Sequence, residues 1–434
     1  MRALGVGGIG WRAMIGLAAM LAIGAVSAQA TPYLVADADS GQVLMENEAT
    51  AQWYPASLTK LMTVYVALDA VRSGKLTLDT PLVMSVRAAR MPPSKMGFRP
   101  GTEVTLDNSL KMLMVKSPND VAVMVAEGVS GSVEAFANDM NAAGQRLGLQ
   151  ESHFVNPNGL HDPAHVSSAR DMAMIARALL REFPDHADLF SIGALQLGNQ
   201  YIANHNGLLG RYPGADGMKT GFTCPAGFNV VASANHSGRR LIVVVLGAPT
   251  ARSRNQEAAD LFDRGFAMGG GNGSLESLPP SSSGAPNMRA DVCLRRNAAA
   301  IAAAEDGDFA EPTQAAASAG RGAPFPNPFS ALLTPVVART VLSDERIRFD
   351  PVPVFLGPAP GWKGPALGAR PTGTATASDN TQGVDANPPP TAPHGARQKS
   401  GRKLIRHAAL ETKGQKVMAA KIVKPKTDAG ESDK

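Results

Sequence analysis

The chain predicts an α+β fold, with one antiparallel sheet built from strands at both ends of a domain and a helical region set beside it. Three observations predict it. Residues 33–48 alternate around Asp39-Ser40-Gly41, which is a hairpin signal. Residues 227–234 and 240–248 form a second strand pair around Ser237-Gly238. Between these ends lie segments whose apolar residues recur at helical spacing.

Taken in order, residues 1–30 carry Arg2 and Arg12, an apolar run from Ala13 to Val26, and then Ala28-Gln29-Ala30. That is the layout of a secretory signal peptide cleaved before Thr31, and the run is too short for a spanning helix. After the first hairpin, residues 56–73 read as a largely apolar core helix. Residues 106–114 and 120–128 read as helices flanking Ser117, with Pro118 breaking the helical pattern between them. Residues 133–147 and 168–181 are amphipathic helical patterns. Residues 217–221 enter a strand, and residues 254–268 close the domain with a helix. Past residue 272 the character changes. Residues 273–364 read as a Pro/Ala/Gly-rich linker holding a small apolar patch at 329–356. Residues 365–434 read as a disordered Pro-rich stretch followed by a basic tail, so the C-terminal region is expected to be mostly irregular.

Charge is distributed unevenly. The whole chain of 434 residues is +5, yet residues 397–434 hold 11 Lys or Arg against 4 Asp or Glu. The basic character is therefore a property of the tail. It fits a solvated segment or attachment to an anionic membrane surface or acidic wall polymer. An exported chain also argues against nucleic acid as the partner.

Three short motifs carry the chemistry: Ser57-Leu58-Thr59-Lys60, Ser117-Pro118-Asn119 and Lys219-Thr220-Gly221. A serine hydroxyl becomes a useful nucleophile only when a base takes its proton during attack. A lysine three residues on shares a helix face with that serine, and it serves as the base when desolvation or nearby positive charge lowers its pKa. A lysine and a threonine on a strand suit a substrate carboxylate. Single motifs of this length arise by chance, as Ser400-Gly401-Arg402-Lys403 and Ser233-Ala234-Asn235 illustrate. Order and context distinguish the first set. No phosphate loop or dinucleotide fingerprint is present, so no cofactor is expected. No metal site is expected either: Pro163 stands between His161 and His165, which read as loop residues.

With Pro55-Ala56-Ser57-Leu58-Thr59-Lys60, the segment 33–41, Asn156-Pro157-Asn158-Gly159-Leu160 and Ser167-Ser168-Ala169-Arg170-Asp171, the chain resembles the D-alanyl-D-alanine carboxypeptidases over residues 31–270. These are low-molecular-mass penicillin-binding proteins and serine peptidases. The resemblance implies a β-lactamase/transpeptidase-like catalytic domain over residues 31–272. It implies removal of the terminal D-alanine from peptidoglycan stem peptides, β-lactams as covalent inhibitors, and a periplasmic or cell-envelope location.

By the same resemblance Ser57, Lys60 and Ser117 are catalytic, with Ser117 hydrogen-bonded near Lys60. Asn119, Lys219, Thr220, Gly221 and Arg254 bind substrate, and a strand residue near Thr223 completes the oxyanion hole with Ser57. Two positions depart from the family: Phe222 and His205 stand where many relatives have histidine and arginine. An even cysteine count in an exported chain points to a Cys224–Cys293 bridge, with two unpaired thiols as the alternative. Two other activities share the motifs, cleavage of peptidoglycan cross-links and non-catalytic wall binding. A serine β-lactamase would need a deacylation base, and no Glu-x-x-Leu-Asn pentad lies between Ser117 and Lys219.

Overall fold

The structure is a computed structural model that describes residues 31–294, 340–342, 345 and 347–368. The expected signal peptide, most of the Pro-rich stretch, the basic tail and the second Ser-x-x-Lys lie outside the described residues.

The first hairpin consists of β1 (Tyr33–Asp37) and β2 (Val43–Asn47). A single 3-10 turn, Ala56–Leu58, leads directly into α1 (Thr59–Arg72). The helical region follows with β3 (Pro81–Val83), α2 (Val86–Ala89), β4 (Glu103–Thr105), α3 (Leu106–Val115), α4 (Asn119–Ser130), α5 (Val133–Arg146) and α6 (Ala169–Glu182). Side chains of Ser85, Thr105, Ser132 and Ser168 accept backbone N–H groups at the starts of α2, α3, α5 and α6. These polar caps fix where each helix begins. The chain then forms β5 (Ala194–Leu197), β6 (Gln200–Ala203), β7 (Ala215–Thr223), β8 (Gly227–His236) and β9 (Arg239–Ala248). It ends with α7 (Ala251–Ala267), α8 (Arg289–Val292) and β10 (Val352–Val354).

The main sheet has the order β2-β1-β9-β8-β7, all antiparallel, so its strands come from both ends of the domain. Both faces are covered. Along β9, Ile242, Val244 and Leu246 join the core that holds α1 and α6, whereas Leu241, Val243 and Val245 pack with Phe262 and Ala258 of α7. This explains the unbroken apolar run 241–246: a strand buried on both faces has no polar side to alternate with. α1 is likewise buried nearly all round, which places a helix at the centre of the molecule. Its polar residues then become attachment points, and Thr63 donates to the Pro157 carbonyl at 2.6 Å.

The short pairs β3–β4 and β5–β6 were not among the expected elements, because three- and four-residue strands leave almost no periodicity to read. Ser233 of the second Ser-x-Asn lies in β8 and donates to Asp216 at 2.6 Å. Packing also continues past residue 272. Ser274 bridges to Gln42, Leu275 is fully buried, and the Cys224 and Cys293 sulfurs are bonded across a separation of 69 residues. Further on, β10 pairs in parallel with β5, and Leu367 exchanges backbone hydrogen bonds with Pro81 and Val83 at 2.8 Å each. Residues 352–367 thus form a strap along the domain, running from the span read as linker and apolar patch into the first residues of the stretch read as disordered, which pair with β3 instead. Among the described residues no helix is long and apolar enough to cross a membrane.

Candidate active site

The three motifs meet in a cleft of about 560 Å³ between the sheet edge β7 and the helical region. Ser57 sits in the 3-10 turn, and Lys60 follows in the first turn of α1. Lys60 Nζ donates to Ser57 Oγ at 2.9 Å, to Asn119 Oδ1 at 2.9 Å and to the Asn158 carbonyl at 2.8 Å. The lysine is 0% exposed, so these oxygens replace the water it has lost. A nucleophile hydroxyl in contact with a buried amine is a geometry for proton transfer during attack.

Backbone strain gathers around the serines. Ala56, just before Ser57, has φ +48°, and Ser117 has φ +60°. Non-glycine residues in this region each cost about 1 kcal/mol or more and persist only where surrounding packing holds them. Part of that packing is Gly159, at φ +81°, where a Cβ would collide with the Ala56 carbonyl.

Ser117 differs from expectation in one respect. The residue lines the cleft, but its Oγ is buried and no hydrogen-bond partner for it is found among the described residues. The left-handed backbone of the Ser117 loop sets the direction of this hydroxyl, which motif spacing does not report. Asn119 holds Lys60 through its Oδ1, while its Nδ2 donates to the Pro92 and Pro93 carbonyls at 3.1 Å each. Asn119 thus ties the 92–94 loop to Lys60 at the wall of the cleft.

Along β7, Lys219 is buried with Nζ donating to the Thr220 carbonyl at 2.7 Å, and Thr220 lines the cleft. The reason for Gly221 is specific to this packing. A Cβ there would lie 2.9 Å from the Ser57 nitrogen and 3.0 Å from the Leu58 nitrogen and the Pro55 carbonyl. Glycine lets β7 pass directly over the turn that carries the nucleophile. Arg254 is 4% exposed and lines the cleft, with Nε and Nη2 donating to Asn255 Oδ1 at 3.0 and 2.9 Å. Phe222, Thr223 and His205 also line it. The Cys224–Cys293 bond follows directly after Thr223 and ties α8 to that rim.

Two contributors were missed. Asn158 reaches Lys60 through its main chain, which no side-chain motif encodes, although its segment was singled out. His165 lies in a loop as expected but is 2% exposed. Its Nδ1 accepts from the Val155 N–H at 3.1 Å, so the ring proton is on Nε2, which donates to Thr59 Oγ1 at 2.8 Å. Thr59 is inside the Ser-x-x-Lys motif, so His165 anchors the 155–165 loop to the nucleophile helix. Burial pushes its pKa down to about 3, against the pull of Asp162 and with the push of His153 and His161.

Comparison with known proteins places this geometry. Residues 20–250 match the family described as D-alanyl-D-alanine carboxypeptidase. The chain is 40% identical over 244 residues to the D-alanyl-D-alanine carboxypeptidase DacA of Haemophilus influenzae, spanning 55% of this chain and 62% of that relative. It thus covers less than two thirds of that relative's length. The solved penicillin binding protein 5 from the same organism superposes with a TM-score of 0.52 at 38% identity, over 54% of this chain and 70% of that one. Penicillin-Binding Protein D2 from Listeria monocytogenes, solved in its ampicillin bound form, superposes with a TM-score of 0.50 at 27% identity, over 54% and 96%. The α+β arrangement of helices against an antiparallel sheet is the transpeptidase-like fold of these proteins.

Proposed function

The chain belongs to the D-alanyl-D-alanine carboxypeptidase family, and we propose on that premise that it removes the terminal D-alanine from peptidoglycan stem peptides as a serine peptidase. The single observation that carries the reading is the Lys60–Ser57 contact of 2.9 Å at the floor of a cleft that also holds Ser117, Thr220 and Arg254. The reaction runs in two halves. With Lys60 as the neutral amine, its lone pair turned toward Ser57, Oγ attacks the carbonyl carbon of the penultimate D-alanine and its proton passes to Nζ. The tetrahedral adduct forms beside the Ser57 and Thr223 backbone N–H groups, where donors aimed at the developing oxyanion lower the barrier. The C–N bond then breaks, and the proton held on Lys60 passes through Ser117 to the departing D-alanine amine, leaving Lys60 neutral again. Water next attacks the acyl-Ser57 ester, Lys60 takes its proton and returns it to Ser57 Oγ as the ester bond breaks, and the shortened peptide departs.

Thr220 and Arg254 meet the terminal carboxylate, with the buried Lys219 supplying fixed positive charge behind them. The unpartnered Ser117 hydroxyl supports its assignment, since a relay group has to be available to the leaving amine. β-Lactams acylate Ser57 in the same way, as the ampicillin bound form of the Listeria relative supports. Such a substrate lies in the cell wall, which together with the composition of residues 1–30 supports export.

The test is release of D-alanine from a free pentapeptide ending in D-Ala-D-Ala, with Ser57→Ala beside the wild type. Release by the wild type alone supports the reading. Release by both removes Ser57 as nucleophile, and no release by either removes the activity.

A further inference from the structure

Thr220 and Arg254, which meet the terminal carboxylate in the reaction above, have apolar neighbours in the cleft. In the β7–β8 register Thr220 lies opposite Val230 and Phe222 opposite Phe228, and residues directly opposite share a face of the sheet. Val230 and Phe228 belong to the core packed under α7, so Thr220 and Phe222 stand two residues apart on that face. Ala251 lies three residues before Arg254 on α7 and shares a helix face with it. All three apolar residues, Phe222, Phe228 and Ala251, line the cleft together with Thr220 and Arg254. The two phenylalanine rings have centroids 4.2 Å apart; Phe228 is buried and Phe222 is half-buried.

The patch is held from behind. Trp53 Nε1 donates to the Ala226 carbonyl at 2.8 Å, and the Met288 N–H donates to the Pro225 carbonyl at 3.0 Å. The Cys224–Cys293 bond closes the same turn between β7 and β8. An apolar surface fixed in this way pays little ordering cost when a ligand covers it. Phe222 also stands where many relatives have histidine, so at this position the chain offers a ring without a hydrogen-bonding group. In a terminal amino acid the side chain and the carboxylate leave the same carbon, so a carboxylate anchored at Thr220 and Arg254 brings that side chain close to the patch. We infer that Phe222, Phe228 and Ala251 form an apolar subsite for the side chain of the departing C-terminal residue, which favours unbranched apolar D-residues longer than alanine. The inference rests on the carboxypeptidase reading for its place in the reaction.

The experiment uses two N-acylated peptides, one ending in D-Ala-D-Ala and the other in D-Ala-D-norvaline. Released amino acid gives kcat/KM for each. Each peptide is also tested for the concentration that halves the rate at which a fluorescent penicillin acylates Ser57, a reading that needs no peptide turnover. The wild type should favour the norvaline peptide by about tenfold in both readings, because two added methylenes leave water. Phe222→His should bring the ratio close to one, whereas Phe222→Leu keeps an apolar surface and should retain most of it. Each ratio is taken within one protein, so a uniform loss of activity cancels. If neither peptide is hydrolysed but norvaline gives the better competitor in the wild type and not in Phe222→His, the subsite stands and the carboxypeptidase reading falls. Release of D-alanine with a wild-type ratio near one, or a ratio unchanged in Phe222→His, overturns the subsite alone. Neither hydrolysis nor competition by either peptide overturns both.

Discussion

Replacing His165 by glutamine separates two effects that the wild-type protein combines. At neutral pH the ring accepts from Val155 and donates to Thr59, so its loss removes two buried hydrogen bonds. That should cost about 1–3 kcal/mol. Acid acts in the other direction. The folded ring titrates at about 3, against an ordinary value of 6.5, because its charged form would be desolvated and would turn an Nδ1 proton toward the Val155 N–H. Between those values the unfolded chain holds a proton that the native protein lacks. The contribution of His165 is therefore complete above pH 6.5 and declines as pH falls toward 3. By pH 4 the loss reaches about 3 kcal/mol, at 1.4 kcal/mol for each unit of proton linkage. Urea midpoints of wild type and His165→Gln from pH 7 to pH 4 test this, since every other titrating group is common to both proteins. The variant should be the less stable at pH 7, and the gap should close or invert by pH 4. A gap that stays constant across the range would refute the argument that His165 is buried neutral.

Gly221→Ala should slow penicillin acylation about 100-fold while leaving the protein folded, because the new methyl displaces β7 from the Ser57 turn by a fraction of its contact distance; stopped-flow acylation together with circular dichroism checks both halves. Cys224→Ser with Cys293→Ser should lower unfolding stability by up to about 4 kcal/mol, from the entropy of a loop of this length, and non-reducing electrophoresis with urea denaturation reads it. Glu151 behaves oppositely to His165. Desolvation and then Asp171 raise it to about 7, outweighing Arg170 at 3.6 Å. Its favourable contribution is thus present below pH 4.5 and lost as pH rises to about 7, so Glu151→Gln should gain on the wild type over that interval in the same urea series.

How much of this was legible in the sequence depended on what each signal encodes. Helices with a one-sided apolar stripe, such as Val133–Arg146, were read to within a residue or so because periodicity and caps both report on them. The alternating strands at the two ends of the domain gave the antiparallel sheet. The run 241–246 was read as a strand from its place in the hairpin around Ser237-Gly238, although only the structure explains why it does not alternate. The strap at 352–367 was not readable, because its strand is three residues long and its partners are hundreds of residues away.

The site divides along the same line. Ser57 and Lys60 were legible because a three-residue spacing on a helix is itself a geometry, and Arg254 was found through resemblance. Asn158 was not legible, since a carbonyl that accepts from Lys60 places no demand on its own side chain. His165 was legible as a residue but not as a role. Whether a loop histidine is solvated or buried depends on Thr59 and Val155 meeting it from a distant helix and its own loop. Gly221 was legible as a residue, but not its close approach to the backbone of Pro55–Leu58, which comes from a distant part of the chain. What the sequence states well is therefore which groups react. What it withholds is how the backbone holds them: the strained Ala56 and Ser117, the glycines that permit close approach, and the carbonyls that receive the buried lysine. Substitutions that leave every motif intact, Gly159→Ala and His165→Gln among them, should on this argument disturb acylation by moving the turn beneath Ser57.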